Sequence, residues 1–264
     1  METFVRWWGD FELRPGEVGH WRLSDTHIWI EHLTHEWRIG VREGKNPRDT
    51  TVEVHIPAAE PFPDEDVTVT RYALAAMGSG LRLLPMLADR SVVTRPETAF
   101  QILPGEEVTL YLSTPLWVRI ELAAGNRLLQ EVPVYTPSDT WFGSSTIEGE
   151  LCYASRTHCR QDLAAVERRP HRVITAVALG NGAADALWLE RLNLPVPNLS
   201  IYSDDHGHLW TQGVTLERKP GMEMAALRLE AAPPSAAKRA TLVNGPRQAS
   251  NRSFMTRAFS ALFS

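Results

Sequence analysis

Apolar and polar residues alternate along most of the chain, in short runs that turn-forming residues separate. Residues 51–56 (TVEVHI) show the pattern most clearly, because every second side chain is apolar. A strand with one buried and one solvated face produces this period of two, whereas a helix repeats about every 3.6 residues. Many short strands with almost no helical periodicity predict an all-β protein. The predicted strands cover residues 4–8, 21–23, 27–31, 37–42, 51–56, 67–74, 81–87, 100–103, 108–112, 117–122, 128–135, 147–154, 171–179, 186–192, 199–203, 209–218 and 222–229.

Turn-forming residues at 135–139 (YTPSD) divide these strands into two groups. We therefore expect two β-sandwich modules of the jelly-roll kind, over residues 1–135 and 136–230. The length of 264 residues agrees with this, since a domain takes roughly 100–200 residues. The chain contains neither GxGxxG nor GxxxxGK[ST], so the sequence gives no sign of the usual nucleotide-binding folds.

The end of the chain has a different character. Residues 231–251 are rich in Ala, Pro, Ser and Asn, which predicts a flexible linker. Over residues 252–264 the apolar side chains recur at helical spacing, which predicts a short amphipathic helix that Ser250 or Asn251 can cap. Because an isolated helix of this length is marginal in water, it needs a surface on which to bury its apolar face.

Charge is distributed unevenly along the chain. The net charge is −5, which argues against nucleic-acid binding by the body of the protein. Residues 1–230 hold all 32 acidic residues, whereas residues 231–264 hold five basic residues and no acidic one. We therefore expect the C-terminal helix to bind a protein partner, with a membrane surface as the alternative. The predicted contact residues are Arg252, Phe254, Met255, Arg257, Phe259, Leu262 and Phe263.

One short segment carries the types of residue that bind metals. His206 and His208 would lie on the same face of a strand, with Asp204 and Asp205 just before them. This pattern predicts, as one alternative, a metal-dependent jelly-roll enzyme. Such enzymes need an acidic residue about four positions after the second histidine, where this chain has Gln212. A hairpin turn between two strands explains the same residues, and we favour the turn.

A second polar patch contains His27, His32 and His35 with Glu31 and Glu36. Its local pattern is strand, turn, strand, so its three imidazoles are not expected to converge. We interpret the patch as an exposed hairpin tip.

The remaining reactive and aromatic residues have ordinary structural explanations. Cys152 lies in an alternating strand, which predicts a buried, unreactive thiol, and we expect no disulfide with Cys159. Nine tryptophans suit a sandwich core, although exposed, coplanar indoles on one sheet would indicate a carbohydrate-binding module. Residues 1–17 lack the basic and apolar regions of a signal peptide, so we expect a cytoplasmic protein.

Six short segments stand out along the chain, namely residues 4–11 (FVRWWGDF), 37–39 (WRI), 104–106 (PGE), 115–118 (PLWV), 149–153 (GELCY) and 201–203 (IYS). Together these segments resemble an uncharacterised family of archaeal and bacterial domains of unknown function. The resemblance spans residues 4–218 and leaves residues 231–264 outside. It implies a fold rich in β structure but no activity, cofactor or catalytic residue.

These observations together predict a non-enzymatic binding or adaptor protein of a bacterial cytoplasm that needs no cofactor. The metal-dependent enzyme and the carbohydrate-binding module are the alternatives.

Overall fold

The computed structural model describes most of the chain. The described residues are 5–46, 48–74, 78, 80–143, 147–221, 225–249, 253–256 and 258, with the backbone alone described at 156–158 and 253–256. Strands account for 53% of the described residues, and no helix in the described part reaches seven residues. The prediction of an all-β protein is therefore confirmed. Three short 3₁₀ helices lie at Ala124–Asn126, Leu163–Ala165 and Val196–Asn198.

The described strands follow one another along the chain with short connections. In chain order they are β1 Gly9–Glu12, β2 Val18–Leu23, β3 Thr26–His32, β4 Glu36–Arg42, β5 Val52–His55, β6 Thr68–Ala73, β7 Gly80–Met86, β8 Val92–Pro96, β9 Phe100–Ile102, β10 Glu107–Pro115, β11 Trp117–Leu122, β12 Arg127–Pro133, β13 Ser138–Gly143, β14 Gly149–Cys159, β15 Arg172–Asn181, β16 Leu187–Leu189, β17 Leu192–Leu194, β18 Ile201–Ser203, β19 Leu209–Thr211, β20 Val214–Arg218, β21 Ala225–Leu229, β22 Thr241–Asn244 and β23 Ser253–Thr256.

The chain forms two compact units. The first comprises Met1–Met86 and Leu116–Thr136, and the second comprises Leu87–Pro115 and Pro137–Ser264. The chain therefore enters the second unit at Leu87, returns to the first unit at Leu116, and leaves it again after Thr136.

The first unit contains two antiparallel sheets among its described residues. One has the strand order β5-β2-β3-β4-β6 and the other the order β1-β7-β11-β12. Burial alternates along β2, so Trp21 and Leu23 are buried while His20 and Arg22 lie on the outer face. The alternation that predicts strands from the sequence therefore also determines which face becomes core.

The second unit contains the remaining three sheets described by the structure. The largest follows the order β22-β18-β19-β15-β20-β21-β23, with β10 also paired to β15. The strand β15 is antiparallel to β10 but parallel to β19 and β20. A four-stranded sheet has the order β13-β14-β8-β17, and β9 pairs with β16 in a two-stranded sheet.

The structure corrects the prediction of a C-terminal helix at the residues that it describes. Instead of a helix, Ser253–Thr256 form β23, which pairs antiparallel with β21 and places Phe254 opposite Leu227 and Met255 opposite Ala226. The physical reason is that the open edge of β21 offers unpaired backbone groups, and hydrogen bonding to them outweighs a weak local helical preference. Of the predicted contact residues, Arg252, Arg257, Phe259, Leu262 and Phe263 lie outside the described residues.

The stretch predicted as a linker also contains regular structure. Within residues 231–251, Thr241–Asn244 form β22, which pairs with β18 at an edge of the largest sheet. Among the residues that the structure describes, no helix has the length and hydropathy needed to cross a lipid bilayer.

Candidate functional site

The predicted metal ligands lie in the tight turn that joins β18 to β19. The Asp204 side chain is only 2% exposed. Its Oδ1 accepts hydrogen bonds from the backbone amides of His206 and His208, each at 2.9 Å, and its Oδ2 accepts the Trp210 indole N–H at 2.9 Å. Gly207 has φ +81°, a left-handed conformation that favours glycine and completes the turn.

These hydrogen bonds determine the charge state of Asp204. Burial by itself would raise the pKa of its carboxyl group. The hydrogen bonds from the Trp210 indole and the His208 and His206 amides, with the nearby His208 imidazole, outweigh burial and hold the pKa below its ordinary value. Asp204 is therefore a carboxylate whose oxygens are occupied by the turn itself.

The two histidines of the turn do not form a metal site with the aspartates. The His206 side chain is 66% exposed, with Nε2 3.6 Å from Asp205 Oδ1, whereas His208 Nδ1 lies 3.3 Å from Asp204 Oδ2. The two imidazole centroids are 6.0 Å apart. Across the described part of the chain, no three His, Cys, Asp or Glu side chains are arranged to hold a metal ion. The hairpin-turn interpretation accounts for these residues.

Both cysteines are free and buried, as the sequence predicts. Cys152 Sγ lies 3.8 Å from Asn193 Oδ1, and burial, together with the nearby Glu150 carboxylate, raises the pKa of its thiol to about 12. Burial also raises the pKa of Cys159, whose Sγ lies 3.2 Å from Thr94 Oγ1. Since the thiolate is the nucleophile, neither cysteine is activated at neutral pH.

An imidazole and indole cluster covers part of the outer face of the five-stranded sheet. His20 and His27 share a 3.0 Å hydrogen bond between Nε2 and Nδ1, and both rings stack on Trp29, with centroids 4.8 and 5.4 Å away. The Arg42 guanidinium lies 5.2 Å from the Trp29 ring centroid, and His55 stacks on His20 at 6.1 Å. Trp29 is consequently buried although it lies on the outer face.

The environment of this cluster disfavours protonation of His20 and His27. Burial, followed by the charges of Arg42, His20 and Arg22, lowers the pKa of His27 to about 4. The pKa of His20 is also lowered, by burial first and then by the neighbouring His55. In their neutral forms, one of the His20 and His27 imidazoles donates this hydrogen bond and the other accepts it. The cluster is thus explained as a structural contact between neighbouring strands.

The other two histidines of the predicted patch lie apart from His27. His32 is buried on the opposite face of the sheet, where its Nδ1 lies 2.7 Å from the Leu13 carbonyl oxygen and its ring stacks on Trp37. His35 is exposed in the turn between β3 and β4. The imidazoles do not converge, as the sequence predicts, but the interpretation of the patch as an exposed hairpin tip holds only for His35, since His32 is buried and His27 is half-buried.

An exposed apolar face on the hairpin of β13 and β14 is the feature that sequence reasoning missed. Trp141 and Leu151 lie directly opposite each other on adjacent strands and are 40% and 47% exposed. Ile147, which precedes β14, is 92% exposed. We call these three residues the hairpin face. Alternation marks 147–154 as a strand in the sequence, but it does not show how far its outer face is exposed.

The other face of the hairpin is anchored in the second unit. Phe142 and Cys152 are buried and pack together with Val93 of β8. Arg191 Nη2 donates to the Trp141 carbonyl oxygen at 2.7 Å, and its guanidinium lies over the Phe142 ring at 5.3 Å. The backbone at Trp141 is therefore held by the packing of the adjacent Phe142 in the core and by the hydrogen bond from the charged Arg191 side chain.

A glycine allows the indole of Trp141 to lie close to the hairpin backbone. A Cβ atom at Gly149 would fall 2.6 Å from Trp141 Nε1, which is closer than real contacts allow. Any larger residue at position 149 would displace the ring.

The tryptophans do not form the platform of a carbohydrate-binding module. Trp141 and Trp188 are the two exposed tryptophans, and they lie on different sheets. The seven buried ones are Trp7, Trp8, Trp21, Trp29, Trp37, Trp117 and Trp210.

Comparison with known proteins places the chain in an uncharacterised group. A family model described as a protein of unknown function (DUF432) matches residues 7–264. No curated protein and no solved structure matches the chain. The resemblance to an uncharacterised family rich in β structure is confirmed. The match also includes residues 231–264, so placing that segment outside the resemblance is wrong.

Proposed function

The chain belongs to the DUF432 family, whose description states no function, and we propose from its structure that it is a non-enzymatic binding protein. It docks on an apolar surface of a protein partner through the hairpin face. The exposed cross-strand pair of Trp141 and Leu151 carries this proposal.

The composition of the hairpin face supports a protein partner. Contiguous exposed apolar side chains are a feature of interaction sites, and tryptophan is enriched among the residues that dominate binding energy. Burying a large apolar side chain completely contributes about 1.5–3 kcal/mol, and both members of the pair start roughly half exposed. Beside them, Asp139 forms an ion pair with Arg90 at 3.0 Å. The charge of each of these two side chains is therefore offset by the other.

The rigidity of the hairpin face supports the same proposal. Packing of Phe142 and the hydrogen bond from Arg191 hold the backbone under Trp141. A surface that is ordered before binding loses less conformational entropy when the partner docks. The bond from Arg191 also occupies a carbonyl group of the edge strand β13, so the partner is expected on the face of the hairpin rather than along its edge.

We make three further proposals that are independent of the hairpin face. Each unit is proposed to be a β-sandwich, residues 259–264 are proposed to assist partner binding through Phe259, Leu262 and Phe263, and the protein is proposed to act in the cytoplasm.

In-cell photo-crosslinking tests the proposal. A benzophenone amino acid replaces Leu151 in the full chain, and the matched control carries it at Leu242, which is 62% exposed on β22. We expect an adduct of one defined mass from position 151 and none of that mass from position 242. Adding W141S should abolish the adduct, whereas adding W188S should not. Equal adducts from both positions, or none from position 151, would contradict the proposal.

A further inference from the structure

Three segments distant in sequence meet around the Asp204 turn. Trp210 packs in one buried cluster with Val166 and Ala237. The backbone amide of Asp205 also donates to the Lys238 carbonyl oxygen at 3.2 Å. The chain therefore brings residues 166–168 and 237–239 beside the turn. We call the cationic side chains and imidazoles of this region the basic surface; its exposed members are Arg168, His206, Lys238 and Arg239, and His208 is half-buried.

Arg168 is held in place at the centre of this region. Its Nη1 lies 3.4 Å from His208 Nδ1, and its guanidinium lies 5.8 Å from the ring centroid of Trp210. A cation over an indole face gains electrostatic stabilisation without being neutralised. The guanidinium is thus positioned while its charge stays available.

One exposed acid, Asp205, lies within the basic surface, with its Oδ1 3.6 Å from His206 Nε2. Among the described residues, none of Arg168, Lys238 and Arg239 forms an ion pair with a carboxylate. In contrast, the nearby Arg169 is paired with Glu167 at 2.5 Å. The carboxylate of Asp204 is buried and occupied by the turn. Three exposed cations without a carboxylate partner among the described residues are therefore carried by two segments that meet beside the Asp204 turn.

We propose that the basic surface is a binding site for a phosphate group. A phosphate carries about 1.5 to 2 negative charges near neutral pH and several acceptor oxygens, which several cations can share. A guanidinium offers paired donors to such an oxyanion, and an ammonium adds a point charge. A single carboxylate carries too little charge to balance three cations. This proposal stands on a different surface from the hairpin face and does not depend on it.

An NMR titration with inorganic phosphate tests the site on the full chain. Ionic strength is held constant with sodium chloride, and the reporter is the indole N–H of Trp210, which is bonded to Asp204 and lies beneath Arg168. We expect a saturable shift of the Trp210 signal, with the indole signals of Trp141 and Trp188 unchanged. Before phosphate is added, a Trp210 indole signal at the same position in each variant as in the original protein shows that the variant remains folded.

Two triple variants with the same loss of charge decide the outcome. R168Q/K238Q/R239Q should weaken phosphate binding at least tenfold. K45Q/R127Q/K219Q removes three exposed cations elsewhere and should leave binding within about twofold of the original protein. Equal weakening by both variants, or a shift that chloride alone reproduces, would show general charge screening and overturn the proposal.

Discussion

His27 lies between cationic neighbours on the outer face of the five-stranded sheet. Arg42 is directly opposite it on β4, and Arg22 is directly opposite it on β2. Asp25, Glu53 and Glu60 are the acidic groups near the His20 and His27 pair, and they do not offset burial and these cations. Protonation of His27 is therefore unfavourable in the folded protein. In the unfolded chain, where these neighbours and the burial are lost, the pKa of His27 returns to its ordinary value.

The stability of the protein should consequently fall as the pH falls from about 6.5 to about 4. In this window the unfolded chain binds a proton that folded His27, with its pKa of about 4, does not bind. We expect H27Q to reduce this loss of unfolding free energy by roughly 1–2 kcal/mol. This is less than the full pKa difference implies, because solvent screens the partly exposed imidazole. Denaturant unfolding at several pH values measures it, with H35Q at an exposed histidine as the control. An identical pH dependence in H27Q and the original protein would refute the explanation.

Cys152 should resist thiol reagents in the native protein. It is fully buried, and burial raises the pKa of its thiol to about 12, so almost no thiolate exists at pH 8. Absorbance of a chromogenic disulfide reagent should show no rapid phase without denaturant and two reactive thiols per chain in its presence. A rapid native phase that C152S removes would contradict the assignment.

At the scale of the element, the β18–β19 turn depends on one carboxylate. We expect D204A to destabilise the protein by about 2–4 kcal/mol, because it leaves two backbone amides and a buried indole N–H without their acceptor. D205A should change the free energy of unfolding by about 0.5 kcal/mol or less, since Asp205 is much more exposed. Denaturant melts of the two variants test this difference. Equal effects would show that the turn does not depend on Asp204.

The C-terminal strand should contribute to the stability of the second unit. β23 pairs with β21, and the carbonyl oxygen of buried Ala258 accepts the Asn193 backbone amide at 2.9 Å. Deleting residues 250–264 should therefore lower Tm by about 5 °C or more, whereas deleting residues 259–264 should change it by less. Calorimetry of the two truncated chains provides the measurement. An unchanged Tm after the longer deletion would show that β23 is dispensable.

At the scale of the whole molecule, the sequence predicts those strands whose formation depends mainly on residues close together in the chain. Alternation along residues 51–56 reflects the local geometry of a strand, and β5 occupies Val52–His55. The periodicity of residues 252–264 is also local, but the open edge of β21 favours a strand over the helix at residues 253–256. Whether such a segment forms a strand or a helix therefore depends on a pairing partner that is distant in the sequence.

The candidate sites depend on contacts that no local pattern encodes. His20, His27 and His55 come from three strands, and Lys238 reaches the Asp204 turn through a stretch whose composition predicts a linker. Likewise, alternation predicts the strand around Leu151, but it predicts neither the strand that carries Trp141 nor how far the face that the two residues share is exposed.

Hydroxyl-radical footprinting in intact cells and on the purified protein tests the proposed docking face most directly, because it changes no residue. In the purified protein, mass spectrometry should detect oxidation of all four exposed reporters, which are Trp141, Leu151, Trp188 and Leu242. In cells, Trp141 and Leu151 should be protected severalfold, while Trp188 and Leu242 should be oxidised as in the purified protein. Equal oxidation of Trp141 and Leu151 in both settings would show that the hairpin face stays uncovered and would contradict its role in binding.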